Sequence, residues 1–431
     1  MSIALERQVG SQTARSKEVI AGSIGNVLDC YDFSVYAFFV PTISSAFFPA
    51  KTELSSLLFA FGAFGAGFVA RPLGAMLFGI YGDRVGRRAS LATVSILMGL
   101  ATVAIGLMPT ADTIGLWAAV GIVAARLLQG FAAGGEYGSA IPFLVEMSGP
   151  GQRGFVGSWH QCGNAIGLLI GSMAALALTN WLPPEEMSAW GWRLPFVAGI
   201  LPAAFGWYIR SNVAETPVFT RLEKDSVKEG SPLRAVFSSH KADLLKAMGM
   251  IVGIAAGFYI ILVFMPTYLG LVSKIDRSAA LLVTTVGLIV YALVCPIAGI
   301  LSDRYGRKKV LLVANLGTAI LTYPLLAILG TGDLTTAILG ESVLAAFLAL
   351  CGGPISAAVA ETASAKVRAT IVSVSFAVSI TIFGGFAPFI GTFLISTFAT
   401  PLAPAFYGVA TALVSCGALF AVRETAFDNT I

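Results

Sequence analysis

The chain has 431 residues, of which 56% are hydrophobic and only 12% are charged. Its mean hydropathy of +0.83 lies far above the range of water-soluble globular domains and excludes that class. The formal net charge of +4 reflects residues between apolar segments, so it gives no reason to expect a nucleic-acid partner.

Apolar segments long enough to cross a membrane recur along the whole chain, since a spanning helix needs about 20 residues. Six of them precede a polar stretch, near residues 19–48, 54–80, 89–108, 113–144, 155–181 and 189–209. Six more follow it, near residues 243–272, 278–300, 310–329, 334–360, 369–398 and 401–422. The sequence therefore predicts an all-α membrane protein with twelve transmembrane helices.

The polar stretch alternates in charge and lacks an apolar period, so we interpret it as a linker between two six-helix bundles. The predicted division of the chain is an N-terminal tail over 1–18, a first bundle over 19–209, the linker over 210–242, a second bundle over 243–422 and a C-terminal tail over 423–431. Two bundles of equal helix number suit a transporter that opens alternately to each side of a membrane.

A charged turn occurs twice, at Gly79–Arg88 and at Gly299–Lys309, each time between apolar segments. A second repeat places Glu146 shortly before a basic residue in the first half, and Glu361 in the same way in the second half. A duplicated motif of this kind indicates two related halves rather than a single-core enzyme.

Basic residues concentrate in alternate loops, including the N-terminal tail, both copies of the charged turn and the linker. The opposite loops contain only four, Lys51, Arg193, Lys274 and Arg277. By the positive-inside rule, both termini are expected in the cytoplasm. The first apolar run is too long for the apolar region of a cleavable signal peptide.

The doubled turn, Gly-x-x-x-Asp-Arg-x-Gly-Arg-Arg/Lys, resembles the signature of the major facilitator superfamily. Further segments resemble its metabolite–proton symporter family: Gly25–Phe33, Phe68–Gly74, Arg126–Gly130, Gly134–Gly138 and Trp190–Phe196. The resemblance covers essentially the whole chain. It implies the major facilitator fold with two pseudo-symmetric bundles in a bacterial inner membrane, and solute import coupled to protons with no other cofactor.

The resemblance also bears on the substrate, because that family imports citrate, tricarballylate, 2-oxoglutarate, phthalates and shikimate as well as proline and betaine. The run Phe383–Pro388 looks most similar to the citrate and tricarballylate members. A di- or tricarboxylate is therefore the implied substrate class, with citrate first. The alternatives are a shikimate, aromatic-acid or compatible-solute symporter, and a membrane sensor of the same fold that transports nothing.

Two carboxylates share one face of predicted helix 1, where Asp29, Asp32 and Tyr36 follow at spacings of three and four, and Tyr36 is a candidate substrate contact. Acidic residues inside a membrane segment usually mark a solute or proton pathway. We interpret the pair as proton-coupling residues, Asp32 above all, with an ion pair between helices 1 and 2 as the alternative. Asp29 stands where the family usually has Glu, which weakens its assignment.

Helix 4 presents Arg126, Gln129 and Glu136 on one stripe. A guanidinium group is a natural partner for a substrate carboxylate, because it binds in a bidentate way and keeps its charge. The alternative is that Arg126 neutralises Asp29 or Asp32. Glu136 is a further proton-coupling candidate, about 15 Å nearer the cytoplasm by helical rise.

Arg71 in helix 2 is a second candidate cation for the substrate, with helix packing against Asp32 or Glu136 as the alternative. Helix 5 contributes His160, Gln161 and Asn164 as candidate substrate contacts, although a hydrogen-bonding structural role is the favoured interpretation of the histidine.

The second half is almost free of charge inside its predicted helices; Glu341 and Glu361 lie near opposite ends of helix 10. It is expected to supply shape to the substrate site through aromatic residues, with Tyr259 and Tyr268 as candidates.

The charged turns are interpreted as gates: their aspartates cap neighbouring helices, and their basic residues meet the repeated glutamates. The candidate gating residues are Asp83, Arg84, Arg87, Arg88, Glu146, Asp303, Arg304, Arg307 and Glu361.

Enzyme motifs are missing from the sequence, which has no Gly-Lys-Ser/Thr loop for phosphate binding. Its two histidines, His160 and His240, are too far apart in the predicted topology to share a metal ion. We therefore expect no enzyme activity and no metal. The expected protein is a monomer in a lipid bilayer that binds a small organic anion and protons.

Overall fold

The computed structural model describes residues 26–85, 87–134, 141–142, 144–145, 148–149, 151–212, 232–364 and 367–427. Within these ranges the chain forms helices and no strand. Long apolar runs account for this, because only a helix satisfies all backbone polar groups of a single segment within a bilayer.

The first half contains six helices, several of them broken by a bend. Their bounds are α1 (26–38 and Val40–Phe47), α2 (Glu53–Val69 and Arg71–Val85), α3 (Arg87–Leu107), α4 (Leu116–Gly134), α5 (Arg153–Trp181) and α6 (Leu194–Ala198 and Ile200–Asn212). Short helices at Ala111–Ile114, Pro184–Ala189 and Gly191–Arg193 connect them. The break in α1 falls at Phe39, directly before a helical turn that contains Pro41, whose ring nitrogen cannot donate.

The second half repeats this arrangement. Its helices are α7 (Lys241–Leu262 and Met265–Tyr268), α8 (Arg277–Tyr305), α9 (Arg307–Leu329), α10 (Leu334–Thr362), α11 (Arg368–Ser379 and Ala387–Phe398, joined by the π-helical turn Ile380–Gly385) and α12 (Ala403–Phe420). Each predicted apolar segment overlaps one helix, so the twelve-helix prediction is confirmed. The predicted linker also contains a short helix, Pro232–Ser239.

Nine of the described helices are long and apolar enough to cross a membrane, and α3 contributes a shorter apolar stretch at Ala92–Leu107. Side chains at their first residues explain where several begin. Asp276 accepts a hydrogen bond from the Ser278 N–H at the start of α8, and Asp333 accepts one from the Thr336 N–H at the start of α10. Both caps lie at the same end of the bundle.

Helices α2 and α4 approach each other backbone to backbone. A Cβ atom at Gly130 would overlap the Gly67 carbonyl oxygen, and one at Gly134 would overlap the Arg71 carbonyl oxygen. Only glycine allows so close an approach. The contact holds Arg71 and Arg126, on neighbouring helices, in the same part of the interior.

Contacts between the two halves include α5 with α8 and α10, and α2 with α11. Hydrogen bonds cross the α5–α8 and α2–α11 pairs. In the first pair Ser172 and Thr285 share a 2.7 Å hydrogen bond. In the second, Thr381 donates to the Phe68 carbonyl oxygen at 3.0 Å. These contacts close the interior around a small central space.

Candidate functional site

A small cavity lies between the two halves, among α1, α2, α5 and α7. The volume that the centre of a water molecule can occupy in this cavity is about 20 Å³. This is enough for about one water molecule and too little for an organic solute. Its described lining consists of Asp29, Cys30, Phe33, Ser34, Ala37, Phe64, Arg71, Leu168, Tyr259 and Val263. A solute with several carbon atoms can therefore reach these residues only when the surrounding helices move apart.

Arg126 on α4 is fully buried, with 0% of its surface exposed. Its guanidinium group donates to Gln129 Oε1 at 2.7 Å and to the Phe64 carbonyl oxygen at 3.2 Å, while its Nε has no hydrogen-bond partner. Among the residues that the structure describes, no carboxylate forms an ion pair with Arg126. Because arginine keeps its charge inside proteins, this part of the site contains a buried cation without a carboxylate.

Aromatic rings surround this cation and a second one. The Cζ atom of Arg126 lies 4.4 Å from the ring centroid of Phe33 and 4.9 Å from that of Phe64. The Cζ atom of Arg71 lies 4.4 Å from the same Phe33 centroid and 4.2 Å from that of Phe68. Each such contact stabilises a guanidinium group by about 0.5–2 kcal/mol without neutralising it. Two cations that share one ring repel each other, and an anion beside them reduces that repulsion.

A chain of polar contacts connects Arg126 to Asp32. Gln129, which accepts from Arg126, donates to the Thr102 hydroxyl at 2.7 Å, and the Thr102 side chain lies beside the Asp32 carboxyl group. Asp32 is only 4% exposed, and its Oδ1 has no hydrogen-bond partner. The structure thus links Asp32 and Arg126 through two neutral side chains on α4 and α3 instead of a direct ion pair.

Sequence reasoning missed Thr102, although it joins the two residues given the greatest weight. A threonine in an apolar helix carries no recognisable signal, because this residue commonly bonds its own backbone, as Thr102 also does with Met98. The i, i+3 spacing did predict that Arg126 and Gln129 share a helix face, and their hydrogen bond confirms it.

The amide side chains of α5 contact α1 beside the cavity. Cys30 donates to Asn164 Oδ1 at 3.0 Å, and Asn164 donates to Gln161 Oε1 at 2.5 Å. Asp29, the neighbour of Cys30, lines the cavity. His160 is buried one turn away, where its backbone carbonyl oxygen accepts a 2.7 Å hydrogen bond from an amide of α1. The predicted α5 residues His160, Gln161 and Asn164 therefore contact α1 and are not part of the described lining of the cavity.

The three candidate tyrosines lie in different surroundings. Tyr259 lines the cavity, and Tyr36 lies with its ring centroid 4.6 Å from the Arg126 Cζ atom and donates to the Ala60 carbonyl oxygen. Tyr268 packs against Phe264, with ring centroids 6.2 Å apart, and is absent from the described lining. The structure brings the first two together with the cations and leaves Tyr268 apart.

The second charged turn forms a compact cluster with α5 and α10. Asp303 accepts hydrogen bonds from the backbone N–H groups of Gly154 and Phe155, at 2.8 and 2.9 Å, and so caps the N-terminus of α5. Arg307 forms ion pairs with Asp303 at 2.7 Å and with Glu361 at 3.1 Å. We call this side of the molecule the charged end. The predicted contacts of Asp303 with a helix N-terminus and of Arg307 with Glu361 are present.

Two features of the charged end differ from expectation. Arg304 does not join the cluster: it is exposed, and its Cζ atom lies 5.4 Å from the Tyr305 ring centroid. The C-terminal segment does join it, because Glu424 accepts from the first two backbone N–H groups of α9 and Thr425 donates to Glu361 at 2.7 Å. This contact joins residues far apart in the chain, and our sequence analysis did not predict it.

The opposite end is also closed, by neutral partners. Arg277 at the start of α8 donates to Thr42 Oγ1 at 2.9 Å and to the Phe38 carbonyl oxygen at 3.3 Å, both on α1. Ser278 donates to Asn180 Oδ1 of α5 at 2.6 Å. Since α8 contacts the first half at both of its ends, the structure is closed on both sides of the cavity.

Several predicted residues lie outside the described part of the chain. Glu136 and Glu146 are not described, and neither are the side chains of the first charged turn, Asp83, Arg84, Arg87 and Arg88.

Comparison with known proteins agrees with this architecture. A family model described as "Sugar (and other) transporter" matches residues 19–235, and one described as "Major Facilitator Superfamily" matches residues 255–429. The citrate-proton symporter of Klebsiella pneumoniae is 34% identical over 398 residues, which are 91% of this chain and 88% of that protein. The chain belongs to the major facilitator superfamily. It is a member of the metabolite–proton symporter family, a proton-coupled multi-pass membrane transporter and not an enzyme.

Other relatives of this major facilitator protein have different names. The glycine betaine/proline/ectoine/pipecolic acid transporter OusA of Dickeya dadantii is 30% identical over 419 residues, or 95% of this chain and 83% of that one. Among solved structures, the proton:xylose symporter XylE superimposes with a TM-score of 0.76 at 18% identity, covering 96% of this chain and 97% of that chain. The structural match establishes the fold. The two sequence relatives, at similar identity, leave the substrate open between an organic acid and a compatible solute.

Proposed function

We propose that this protein imports a small organic anion together with protons by alternating access. A di- or tricarboxylate is the proposed substrate class, with citrate as the first candidate. The observation that carries the proposal is Arg126, a fully buried guanidinium group that forms no ion pair with any carboxylate of the described chain. A carboxylate of the substrate is the partner that this cation lacks.

The substrate carboxylate is proposed to bind along the Nε edge of Arg126. Nε has no hydrogen-bond partner, and Phe33 and Phe64, which line the cavity, lie against the same guanidinium group. Arg71 is the second proposed cation, since it lines the cavity and shares the Phe33 ring. A substrate with two carboxylates can use both.

Asp32 is proposed to carry the coupled proton, and Asp29 beside the cavity is a further candidate. A buried carboxyl group favours its neutral form, whereas a nearby cation favours its charged form. Protonation of Asp32 removes a negative charge from the neighbourhood of Arg126 and so strengthens binding of an anion. Release of the anion into a compartment of higher pH, followed by loss of the proton, resets the site. Gln129 and Thr102 transmit the change, because they connect the two groups.

The charged end is proposed to be the cytoplasmic gate. Opening it separates Asp303 from the α5 N-terminus, which requires the loss of two hydrogen bonds to backbone N–H groups. The basic residues of the charged turns support a cytoplasmic position for this end by the positive-inside rule, and both termini are proposed to lie on the same side. The proposed location is the bacterial inner membrane, and the proposed working unit is a monomer.

A compatible solute such as betaine is the second candidate. The aromatic residues Phe33, Phe64 and Tyr259 line the cavity, and aromatic rings bind quaternary ammonium groups. A zwitterion of this kind presents one carboxylate to Arg126 and its ammonium group to the rings. The relation to OusA also favours this candidate.

Uptake into proteoliposomes tests the proposal. Purified protein is reconstituted, and accumulation of labelled citrate is measured with and without an inward proton gradient. Accumulation that depends on the gradient supports proton symport of an organic anion. If citrate is not taken up but betaine or proline is, the second candidate replaces the first. If folded protein takes up none of these, nor 2-oxoglutarate, phthalate or shikimate, a sensor without transport activity replaces both.

A further inference from the structure

A single carboxyl group lies deep in the second half, away from the candidate substrate site. Glu341 on α10 is fully buried, at 0% exposure. Thr284 of α8 donates a weak hydrogen bond of 3.4 Å to its Oε2, and its Oε1 has no hydrogen-bond partner. In the described part of the chain, no basic side chain forms an ion pair with it. The carboxyl group is therefore enclosed with almost no polar support.

The helices around Glu341 offer it no charge of opposite sign. On α8, Gly287 packs against the carboxyl group, and the helix's basic residue at that end, Arg277, is bonded to α1. The two capping acids at that end, Asp276 and Asp333, accept hydrogen bonds from backbone N–H groups at the starts of α8 and α10. The charges of the charged end are remote, since Glu361 lies twenty positions further along α10, about 30 Å by helical rise.

The remaining titratable side chains on the packed helices are tyrosines, a histidine and cysteines. They are Tyr259 and Tyr268 on α7, Tyr291 and Cys295 on α8, Tyr323 on α9, Cys351 on α10, and His160 and Cys162 on α5. Among the described residues none of these forms a hydrogen bond or ion pair with Glu341, and the one such contact there is with Thr284.

An isolated ionised carboxylate in such a place is very unfavourable, so in this closed state the group is neutral and holds a proton. The position is also close to a moving boundary. Thr285, next to Thr284, forms a 2.7 Å hydrogen bond with Ser172 of α5 across the interface of the two halves. Glu341 therefore lies one helix behind the α5–α8 interface that must open during transport.

We propose that Glu341 is a second proton-binding site, which loads and releases its proton as α8 moves away from α5. It lies seven residues from Leu334, the first residue of α10, or about 10 Å by helical rise from the end opposite the charged end. Opening of that end breaks the Arg277 and Ser278 contacts to the first half and lets water approach the group. This inference rests on the proposed proton symport and adds a binding site for a proton in the second half.

The proton count per substrate tests the inference. Steady-state accumulation is measured in proteoliposomes at several imposed pH gradients, with the membrane potential clamped to zero. If Glu341 carries one coupled proton, Glu341→Gln lowers the accumulation ratio by about tenfold for each pH unit of gradient. Glu341→Asp, which keeps the titratable group, retains a ratio close to that of the unmodified protein. Glu185→Gln, an exposed glutamate in the helix Pro184–Ala189, is the matched control.

A purely structural glutamic acid predicts a different result. Glutamine has the shape of the neutral acid, so a group that stays protonated throughout the cycle is replaced without a change in the accumulation ratio. An unchanged ratio in Glu341→Gln overturns the inference while leaving proton symport intact. If the unmodified protein shows no accumulation driven by the gradient, the proposed function fails first.

Infrared difference spectroscopy provides a second test, which does not depend on the folding of the glutamine variant. Spectra of the unmodified protein are compared at low and high pH in the presence of a saturating transport substrate. In the unmodified protein, a C=O band of a protonated carboxyl group should be present at low pH and absent at high pH. The same band should also be present at low pH in Asp32→Asn, and its frequency should be shifted in Glu341→Asp. A spectrum in which no band shifts in Glu341→Asp contradicts the inference.

Discussion

Arg126 and Arg307 are the same residue type in similarly buried places, at 0% and 3% exposure, yet their partners differ. Arg307 donates to the carboxylates of Asp303 and Glu361. Arg126 donates only to an amide and to a backbone carbonyl oxygen. A buried cation normally has an anionic partner; the chain itself supplies one to Arg307, and for Arg126 we propose that the substrate supplies it. The comparison distinguishes an arginine that holds the structure closed from one that is proposed to bind substrate.

The surroundings of the two arginines fit that distinction. The Arg307 cluster joins the halves through the α5 N-terminus, where Asp303 accepts from two backbone N–H groups. The Arg126 neighbourhood consists of aromatic rings, which stabilise a cation but leave its charge unneutralised. Ion pairs within the chain can break and re-form in each cycle, whereas a bound anion is the proposed partner for the charge of Arg126.

Removing the unneutralised arginine should have the largest effect. Arg126→Ala deletes a charge-assisted, bidentate contact to the substrate, and each hydrogen bond to a charged group contributes about 1.5–3 kcal/mol. We expect the ratio of maximal uptake rate to KM to fall by about 100-fold or more. Initial rates of labelled citrate uptake measure it. Arg304→Ala, at an exposed arginine beside Tyr305, is the matched control and should transport normally. An unaltered KM in Arg126→Ala would move the binding site elsewhere.

The next largest effect should come from Asp32, which stands at the other end of the polar chain from Arg126. Asp32→Asn mimics the protonated carboxyl group in every state, so substrate still binds but no proton is released. We expect gradient-driven accumulation to fall to the equilibrium level, while exchange of labelled for unlabelled substrate continues. Counterflow and accumulation assays separate the two activities. Asp112→Asn, in an exposed connecting helix, is the control; full accumulation in Asp32→Asn would remove Asp32 from the coupling scheme.

A smaller effect is expected when Arg307 loses one of its carboxylates. Glu361→Gln leaves Asp303 as the only anionic partner among the described contacts, and removing a member of a buried ion pair costs up to about 3–5 kcal/mol. The glutamine amide oxygen can still accept a hydrogen bond from Arg307, and Asp303 keeps its ion pair, so we expect a cost of about 2 kcal/mol. The closed state of the charged end should therefore become less populated, and thermal unfolding should shift to lower temperature.

Cys295 provides a direct readout of that opening. It is fully buried in the α5–α8 interface, where its thiol lies 3.6 Å from the Ser158 carbonyl oxygen. Maleimide labelling of Cys295, followed by peptide mass spectrometry, should be about thirtyfold faster in Glu361→Gln than in the unmodified protein, since about 2 kcal/mol corresponds to a factor of about 30. Equal labelling rates would show that the ion pair does not hold this end closed.

The sequence predicted the helices better than the contacts between them. Long apolar runs predicted all twelve helices, and the spacing along α4 predicted that Arg126 and Gln129 share a face. Both are properties of a single segment. Thr102, which links Gln129 to Asp32, and Glu424, which caps α9, were not found. Their roles depend on residues of other helices, and spacing within one segment contains no information about those neighbours.

Because spacing within one helix says nothing about neighbouring helices, it did not predict which groups contact the buried arginines. Sequence reasoning allowed Arg126 to neutralise Asp29 or Asp32 directly. The structure instead places neutral side chains between Arg126 and Asp32, and aromatic rings against both Arg126 and Arg71. The phenylalanines involved, Phe33 and Phe64, are indistinguishable from packing residues in an apolar sequence. The position of Phe33 between the two cations, and of Phe64 against Arg126, becomes visible only once α1, α2 and α4 are assembled.

The smallest expected effect, and the one that decides between the two substrate classes, concerns Arg71. Arg71→Gln removes the second cation of the site but keeps Arg126. A substrate with several carboxylates loses one ionic contact, worth about 1–1.5 kcal/mol, so the KM for citrate should rise by about tenfold. A zwitterion with one carboxylate uses Arg126 alone, and its KM should change by less than about twofold. KM values for citrate and betaine, measured in the same preparation, give the comparison. Equal changes for both solutes would mean that Arg71 stabilises the aromatic cluster and does not select the substrate.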